Sequence, residues 1–291
     1  MKILVSGVAG FVASNIANDL FNKYDITGVD DLSFGNRANL RREVRFIEKD
    51  FNKLSDKVLS SFDVLIHCAC ANIIYAQTNQ VKTFKINALD SIELFNRFKG
   101  KIIYTSTASV YGQSKELPTP ETAPMNVSNA YDQSKLIAER FLEIRGNYTT
   151  LRLSNVYGVN QRPDNPYAGV IGKFIDSAIK SKPFNVYGDG SCTRDYTYIS
   201  DVVNAVELAI EADPLNTSVN ISGNCEASSL DLVREIKSLT NSTSNVNHTE
   251  VRQIDTIKRR LLDISKAKEL LNWSPKIGLT EGLKKTIDYQ Y

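Results

Sequence analysis

Apolar residues in the first half of the chain fall into short runs, and between the runs they recur at helical spacing. Lys2-Ile3-Leu4-Val5-Ser6 is one such run. It is partly β-branched, stops at Gly7, and predicts a strand buried on both faces. Residues 11–23 carry Phe11, Val12, Ile16, Ala17 and Leu20, a helical repeat. Further strands are expected at 25–30, 44–47, 63–67, 101–104 and 150–153, and further helices at 78–98 and 129–145. Strands alternating with helices imply right-handed crossovers, and so an α/β fold with a doubly wound parallel sheet.

The rhythm loosens after residue 156. Gly, Pro, Asn and Asp cluster at 158–169 and 185–195, and helical spacing returns at 200–212, 229–240 and 265–271. Residues 241–249 read as a polar loop. The second half is therefore expected to be a smaller mixed α/β lobe closing over the edge where the strands end. The expected division is residues 1–157, with a returning segment at about 196–220, for the sheet domain; 158–195 and 221–291 form the lobe.

Composition narrows the function. With 291 residues, 42% of them hydrophobic, the chain is long enough for one large or two moderate globular domains. Its 35 Lys and Arg nearly balance 33 Asp and Glu, which argues against a nucleic-acid or acidic-membrane binder. No apolar run reaches about 18 residues, so no membrane-spanning helix is expected. The stretch before Gly7 lacks the apolar core of a signal peptide, and a cytoplasmic location is expected. The four cysteines, Cys68, Cys70, Cys192 and Cys225, are then expected as reduced thiols. Cys68-Ala69-Cys70 is one residue short of Cys-x-x-Cys, and no metal site is expected.

Two motifs carry chemistry. Gly7-Val8-Ala9-Gly10-Phe11-Val12-Ala13 lies between the first strand and the first helix. Gly7 suits a tight turn, and Gly10 lets a pyrophosphate approach the helix N-terminus, where free N–H groups and the dipole favour anions. Asp30 ends the second strand, placed to accept hydrogen bonds from an adenosine ribose; its charge favours NAD over NADP. The second motif, Tyr131-Asp132-Gln133-Ser134-Lys135, puts Tyr131 and Lys135 on one helical face. A phenol loses its proton near pH ~10, so a base working near neutrality needs about 4 kcal/mol of help. One ammonium about 4 Å away supplies that at an effective dielectric of ~20, and Lys135 is the expected source. Thr107, in Thr105-Ser106-Thr107-Ala108-Ser109 after the 101–104 strand, adds a hydroxyl at the edge where such sheets bind ligands.

Together the motifs resemble the extended short-chain dehydrogenase/reductase family, in its NAD-dependent nucleotide-sugar epimerase/dehydratase group. The resemblance also runs through Asp30-Asp31-Leu32-Ser33, His67-Cys68-Ala69, Val110-Tyr111-Gly112, Leu153-Ser154-Asn155-Val156-Tyr157-Gly158, Tyr167-Ala168-Gly169-Val170-Ile171, Tyr187-Gly188-Asp189-Gly190 and Asp263-Ile264-Ser265-Lys266-Ala267. Within the group it is most similar to UDP-glucose and UDP-N-acetylglucosamine 4-epimerases. The resemblance implies a Rossmann-type NAD-binding domain, a nucleotide-sugar-binding lobe and a homodimer paired through the helices at about 78–98 and 129–145, with which exposure of Ile92, Phe95 or Phe141 would be consistent. It implies that Tyr131 is the base and acid at the sugar 4-hydroxyl, Lys135 binds the nicotinamide ribose and tunes Tyr131, and Thr107 is the hydroxyl partner. Gly7, Gly10, Phe11, Val12, Asp30, Asp31, Asp50 and Phe51 are implied in cofactor binding, the last two at the adenine. Asn155, Val170, Tyr187, Arg194, Arg252 and Asp255 are implied in substrate binding, the arginines at the pyrophosphate. Dehydratases and decarboxylases of the group carry acidic residues just after the Thr107 position, where Ala108 and Ser109 stand here. The segment between Asp255 and Asp263 is one residue longer than usual, so that Arg259 or Arg260 falls where epimerases limit sugar size. Three readings stay open: a 4-epimerase, a 4-keto-sugar reductase or other epimerase on the same scaffold, and a non-catalytic NAD-binding protein.

Overall fold

The apolar runs of the first half become one parallel sheet. The computed structural model describes residues 1–161, 169–251 and 257–290. Its main strands are β1 (Lys2–Ser6), β2 (Asp25–Asp30), β3 (Arg45–Glu48), β4 (Val64–His67), β5 (Lys101–Thr107) and β6 (Tyr148–Leu153). Two short strands follow, β7 (Asn155–Tyr157) and β8 (Phe184–Tyr187), then β9 (Thr193–Tyr198), β10 (Ser218–Ile221), β11 (Glu226–Ser228) and β12 (Val246–Thr249). The large sheet has the order β10-β6-β5-β4-β1-β2-β3, and every neighbouring pair is parallel. The winding reverses between β1 and β4, which opens a crevice at their carboxyl ends. This is the expected Rossmann-type doubly wound sheet.

Both faces are covered. Ile3 and Val5 of β1 join a core with Ile16 and Leu20 of the helix Phe11–Leu20 and Val202 and Val206 of the helix Ile199–Glu211. Leu4 points the other way, into a core with Phe95, Tyr104, Ala138 and Leu142. Such two-sided burial is why these strands read as continuous apolar runs. Beyond the carboxyl edge, β7, β9 and β11 form a small mixed sheet, and β8 pairs with β12.

Three expectations need correction. The helix expected at 78–98 is interrupted: a helix at Gln80–Phe84 passes through a wide π turn at Lys85–Asp90 into Ser91–Arg97. The cause is polar side chains turned inward. Asn87 bonds both the N–H and the carbonyl of Ala71, at 2.7 and 2.9 Å, and Ser91 donates to the Ile86 carbonyl at 3.0 Å. The loop expected at 241–249 contains β12, an edge strand whose side chains are mostly exposed and whose pairing is carried by backbone. Phe95 is wholly buried, and Ile92 and Phe141 are half-buried. The exposed apolar residues of this face are instead Val81, Leu89, Ile137 and Ile144. Among the described residues, no helix is long and apolar enough to cross a membrane.

A buried ion pair fastens the helix Ala130–Arg145 to β6. Glu139 and Arg152 have side chains only 1% and 3% exposed and meet at 2.7 Å. Arg152 also donates to the Tyr111 hydroxyl at 2.8 Å, which donates on to Asn220 at 2.7 Å. Removing one partner strands the other charge without water. Arg152→Met is therefore expected to cost about 3–5 kcal/mol of stability in urea titrations; the paired change Glu139→Leu with Arg152→Met should cost clearly less.

Candidate active site

The crevice between β1 and β4 is made by backbone. Gly7 has φ +70°, and a Cβ there would lie 2.6 Å from the Ala69 Cα, so the turn admits no side chain. Gly10 caps the helix Phe11–Leu20 without a side-chain bond, and no acidic residue stands in the first turn. A Cβ on Gly10 would meet only the Gly7 carbonyl, at 3.1 Å, so the space before the helix end is otherwise open. Ala13 is buried where helix and strand pack closely. At the end of β2, Asp30 accepts the N–H groups of Ala9 (3.0 Å) and Leu32 (2.8 Å). Burial pushes its carboxyl up, and those two N–H groups pull it down. Asp31 is exposed and binds Ser33. The Lys49 N–H bonds the Asp30 carbonyl at 2.9 Å, which brings Asp50 and Phe51 beside the same edge. Asp50 caps the turn Phe51–Lys53, and Phe51 packs edge-on against His67.

The catalytic candidates meet further along that edge. Asn129 caps the helix carrying Tyr131, accepting the Asp132 N–H at 3.0 Å. Thr107 is the last residue of β5; its hydroxyl lies 3.0 Å from that of Ser109 and acts on the nearby Tyr131 phenol. Lys135 is buried one turn beyond Tyr131; its ammonium donates to the Thr105 carbonyl at 2.7 Å and lies 4.2 Å from the Tyr104 ring centre.

The electrostatics differ from the expectation built on Lys135. Burial pushes the Tyr131 phenol up, and Cys70 and Asp132 act in the same direction. The Thr107 hydroxyl and the Arg260 guanidinium pull it down. Lys135 is itself pushed down by burial, and its charge is directed at the Thr105 carbonyl. A Coulomb estimate from spacing alone omits the loss of water around both groups, and here that loss is the larger effect.

A cleft of about 550 Å³ opens over Tyr131. Thr107, Asn155, Val170, Tyr187 and Arg194 all line it, from five separate segments. Arg194 is anchored by donating to the carbonyls of Thr193 (2.8 Å) and Ile257 (2.9 Å). Arg252 and Asp255 lie outside the described residues. Of the two arginines left open, Arg259 turns away to pair with Glu226 at 2.7 Å, and Arg260 enters the cleft wall. Asp132 is a cleft residue that motif reading passed over. Its Oδ2 accepts from Asn129 at 2.7 Å, whereas its buried Oδ1 has no partner. The Asn129-x-x-Asp132 spacing is a capping signal that marked the pair.

The pattern that defines the NAD dependent epimerase/dehydratase family matches residues 3–222. A protein of Methanocaldococcus jannaschii, provisionally assigned as a UDP-glucose 4-epimerase, is 34% identical over 99% of this chain and 97% of its own length. UDP-glucuronic acid decarboxylase 5 of Arabidopsis thaliana is 31% identical over 97% of this chain and 87% of that protein. The solved structure of the Thermotoga maritima UDP-glucose 4-epimerase with UDP-glucose superposes with a TM-score of 0.93 at 33% identity, covering 99% of this chain and 98% of the other. NAD is the cofactor, and the residues fit it: an open helix end behind Gly10 for the pyrophosphate, and the Asp30 carboxylate for a ribose. Gly7→Ala should therefore yield protein with little bound NAD and about 1–3 kcal/mol less stability, read from nucleotide released on heating and from urea midpoints; wild-type NAD content would contradict this. By the match across residues 3–222, the chain belongs to the NAD-dependent epimerase/dehydratase family.

Proposed function

We propose that the chain is a 4-epimerase of UDP-linked hexoses acting through a transient 4-keto sugar. The observation that carries this reading is the Thr107–Tyr131 hydroxyl pair at the cleft, one helical turn from Lys135. What NAD supplies when bound is a reversible hydride acceptor for C4. Tyr131, as phenolate, removes the proton of the 4-hydroxyl. Thr107 orients the same oxygen, and its hydroxyl favours the phenolate. The Lys135 ammonium has three N–H donors and spends one on Thr105, which leaves donors for the nicotinamide ribose. A sugar turned about its phosphate linkage would present the opposite face of C4, and Tyr131 would give back its proton there. Arg194 and the first turn of the helix Val170–Ile179 suit the diphosphate, since a guanidinium and a helix N-terminus both favour phosphate oxygens.

The decarboxylases among the relatives offer a second reaction on this scaffold. Ala108 and Ser109 favour the epimerase: no carboxylate follows Thr107, and the Ser109 hydroxyl is tied back to it. The exposed Val81, Leu89, Ile137 and Ile144 support a homodimer paired through this face.

Purified protein given UDP-glucose or UDP-galactose with no added NAD should interconvert them, as followed by NMR. Tyr131→Phe should lower turnover at least about 100-fold while retaining bound NAD; retention of most activity would refute the role. The pH profile gives a second test. A base must lose its proton, so kcat/KM rises with pH through the phenol's ionisation. Thr107→Val removes a hydroxyl that favours the phenolate, so its rising limb should move to higher pH. An unmoved limb would exclude this coupling.

A further inference from the structure

Two loops meet across the dinucleotide turn. β4, β1 and β2 are neighbouring parallel strands, so the loops that follow them leave the same edge of the sheet in that order. The middle loop is the turn Gly7–Gly10, with the helix end that suits a pyrophosphate. The strands on either side of it stand two spacings apart, about 10 Å. Even so, the ring of Phe34, beyond the end of β2, reaches the ring of Tyr75, beyond the end of β4. Their centroids are 4.9 Å apart and their planes meet at 78°. Each arm is anchored at its root. On the β2 side, Asp30 accepts the Leu32 N–H at 2.8 Å. The Asn36 N–H and the Asn39 amide both donate to the Ala9 carbonyl, at 3.0 and 2.9 Å, which lays this loop against the turn itself. On the β4 side, Asn72 caps the short helix Ile73–Ala76 by accepting the N–H groups of Ile74 (2.9 Å) and Tyr75 (3.0 Å). Phe34 and Tyr75 are half-buried, and neither ring belongs to the cores on the two faces of the sheet.

We propose that Phe34 and Tyr75 form a clasp across the cofactor crevice that keeps NAD from exchanging between turnovers. This rests on NAD as the cofactor and not on which sugar is turned over. Aromatic rings in edge-to-face contact attract through their charge distributions as well as by shedding water, yet one such pair is weak enough to open. The clasp therefore slows passage and does not forbid it. It stands in the way of entry and exit alike, so its loss speeds both, and affinity changes less than either rate. A side chain that only touched the bound cofactor would behave otherwise: its loss would speed exit and leave entry unchanged. Retention suits an enzyme that ends each cycle with its cofactor unchanged, whereas a reductase must release it at every turnover.

The test is cofactor exchange in the purified full chain. Protein loaded with tritium-labelled NAD is mixed with excess unlabelled NAD, and the label retained is counted after rapid desalting. Entry is followed by quenching of protein fluorescence when NAD is added to charcoal-treated protein. Phe34→Ala and Tyr75→Ala should each speed release about 3- to 10-fold and speed entry by a similar factor. Tyr75→Phe, which keeps the ring, should match the wild type. The double alanine variant should exchange no faster than either single one, because both remove the same contact. Should an alanine variant show a lowered urea midpoint, Phe34→Leu, which keeps apolar bulk without the ring, takes its place with the same expectation. Unchanged release in the single variants, faster release without faster entry, or additive effects in the double variant would overturn the proposal. The assay contains no sugar, so a failure to interconvert UDP-glucose and UDP-galactose would count against the 4-epimerase reading alone.

Discussion

Everything at the cleft depends on how the helix Ala130–Arg145 is laid across the ends of β5 and β6. Apolar packing alone specifies such a docking loosely, since a helix face can slide over a sheet at little cost. Here buried polar contacts set the register. Lys135 bonds the Thr105 carbonyl, Glu139 bonds Arg152 and the Ser106 hydroxyl, and Ser134 receives the Asn87 amide at 3.1 Å. Each has a partner only in one alignment, and a slip would leave charges in the core without water. Tyr131 meets Thr107 because three residues deeper in the same helix have no alternative position.

The same burial that fixes geometry works against catalysis. Loss of water favours the neutral form of each group, pushing the Tyr131 phenol up and the Lys135 ammonium down. The countervailing groups come from other elements: the Thr107 hydroxyl from the end of β5, and the Arg260 charge from a loop near the C-terminal end of the chain. The proposed base, Tyr131, is therefore acted on jointly by the sheet and the cleft wall, and not by the Tyr-x-x-x-Lys spacing alone. In a poorly hydrated site each remaining charge counts for several times its worth in water, so one arginine in the wall bears on the proton at Tyr131.

What was legible in the sequence follows from what constrains each residue. Strands buried on both faces had to be apolar throughout, so β1, β2, β4 and β6 stood out, and β1 and β2 end where the pattern ends. Gly7 was legible because no other residue adopts that φ against Ala69. The π turn was hidden because its cause, Asn87 turned inward, looks like any polar residue on a helix. β12 was hidden because its pairing uses backbone and leaves an outward polar surface. The choice between Arg259 and Arg260 was not legible, because Glu226, which draws Arg259 away, is far off in sequence. The direction of the Tyr131 shift failed for a related reason: desolvation belongs to the folded environment, and no spacing of residues encodes it.

The two ends of the site are thus built on different principles. The proposed cofactor end is a backbone surface of Gly7 and the open start of a helix, where substitutions meet other backbone. The substrate end is a wall of side chains drawn from separate loops, whose main chain is held by bonds that ignore side-chain identity, as the contacts of Lys258 and Leu262 hold Arg260. Exchanging a side chain in that wall leaves both the redox cofactor's seat and the Tyr131–Thr107 pair in place. A scaffold divided in this way can change which sugar it accepts without rebuilding the hydride chemistry, which is why relatives sharing this fold differ in substrate and reaction. Arg260 is a residue of that exchangeable kind: its main chain is held by neighbouring bonds, and its side chain lines the cleft.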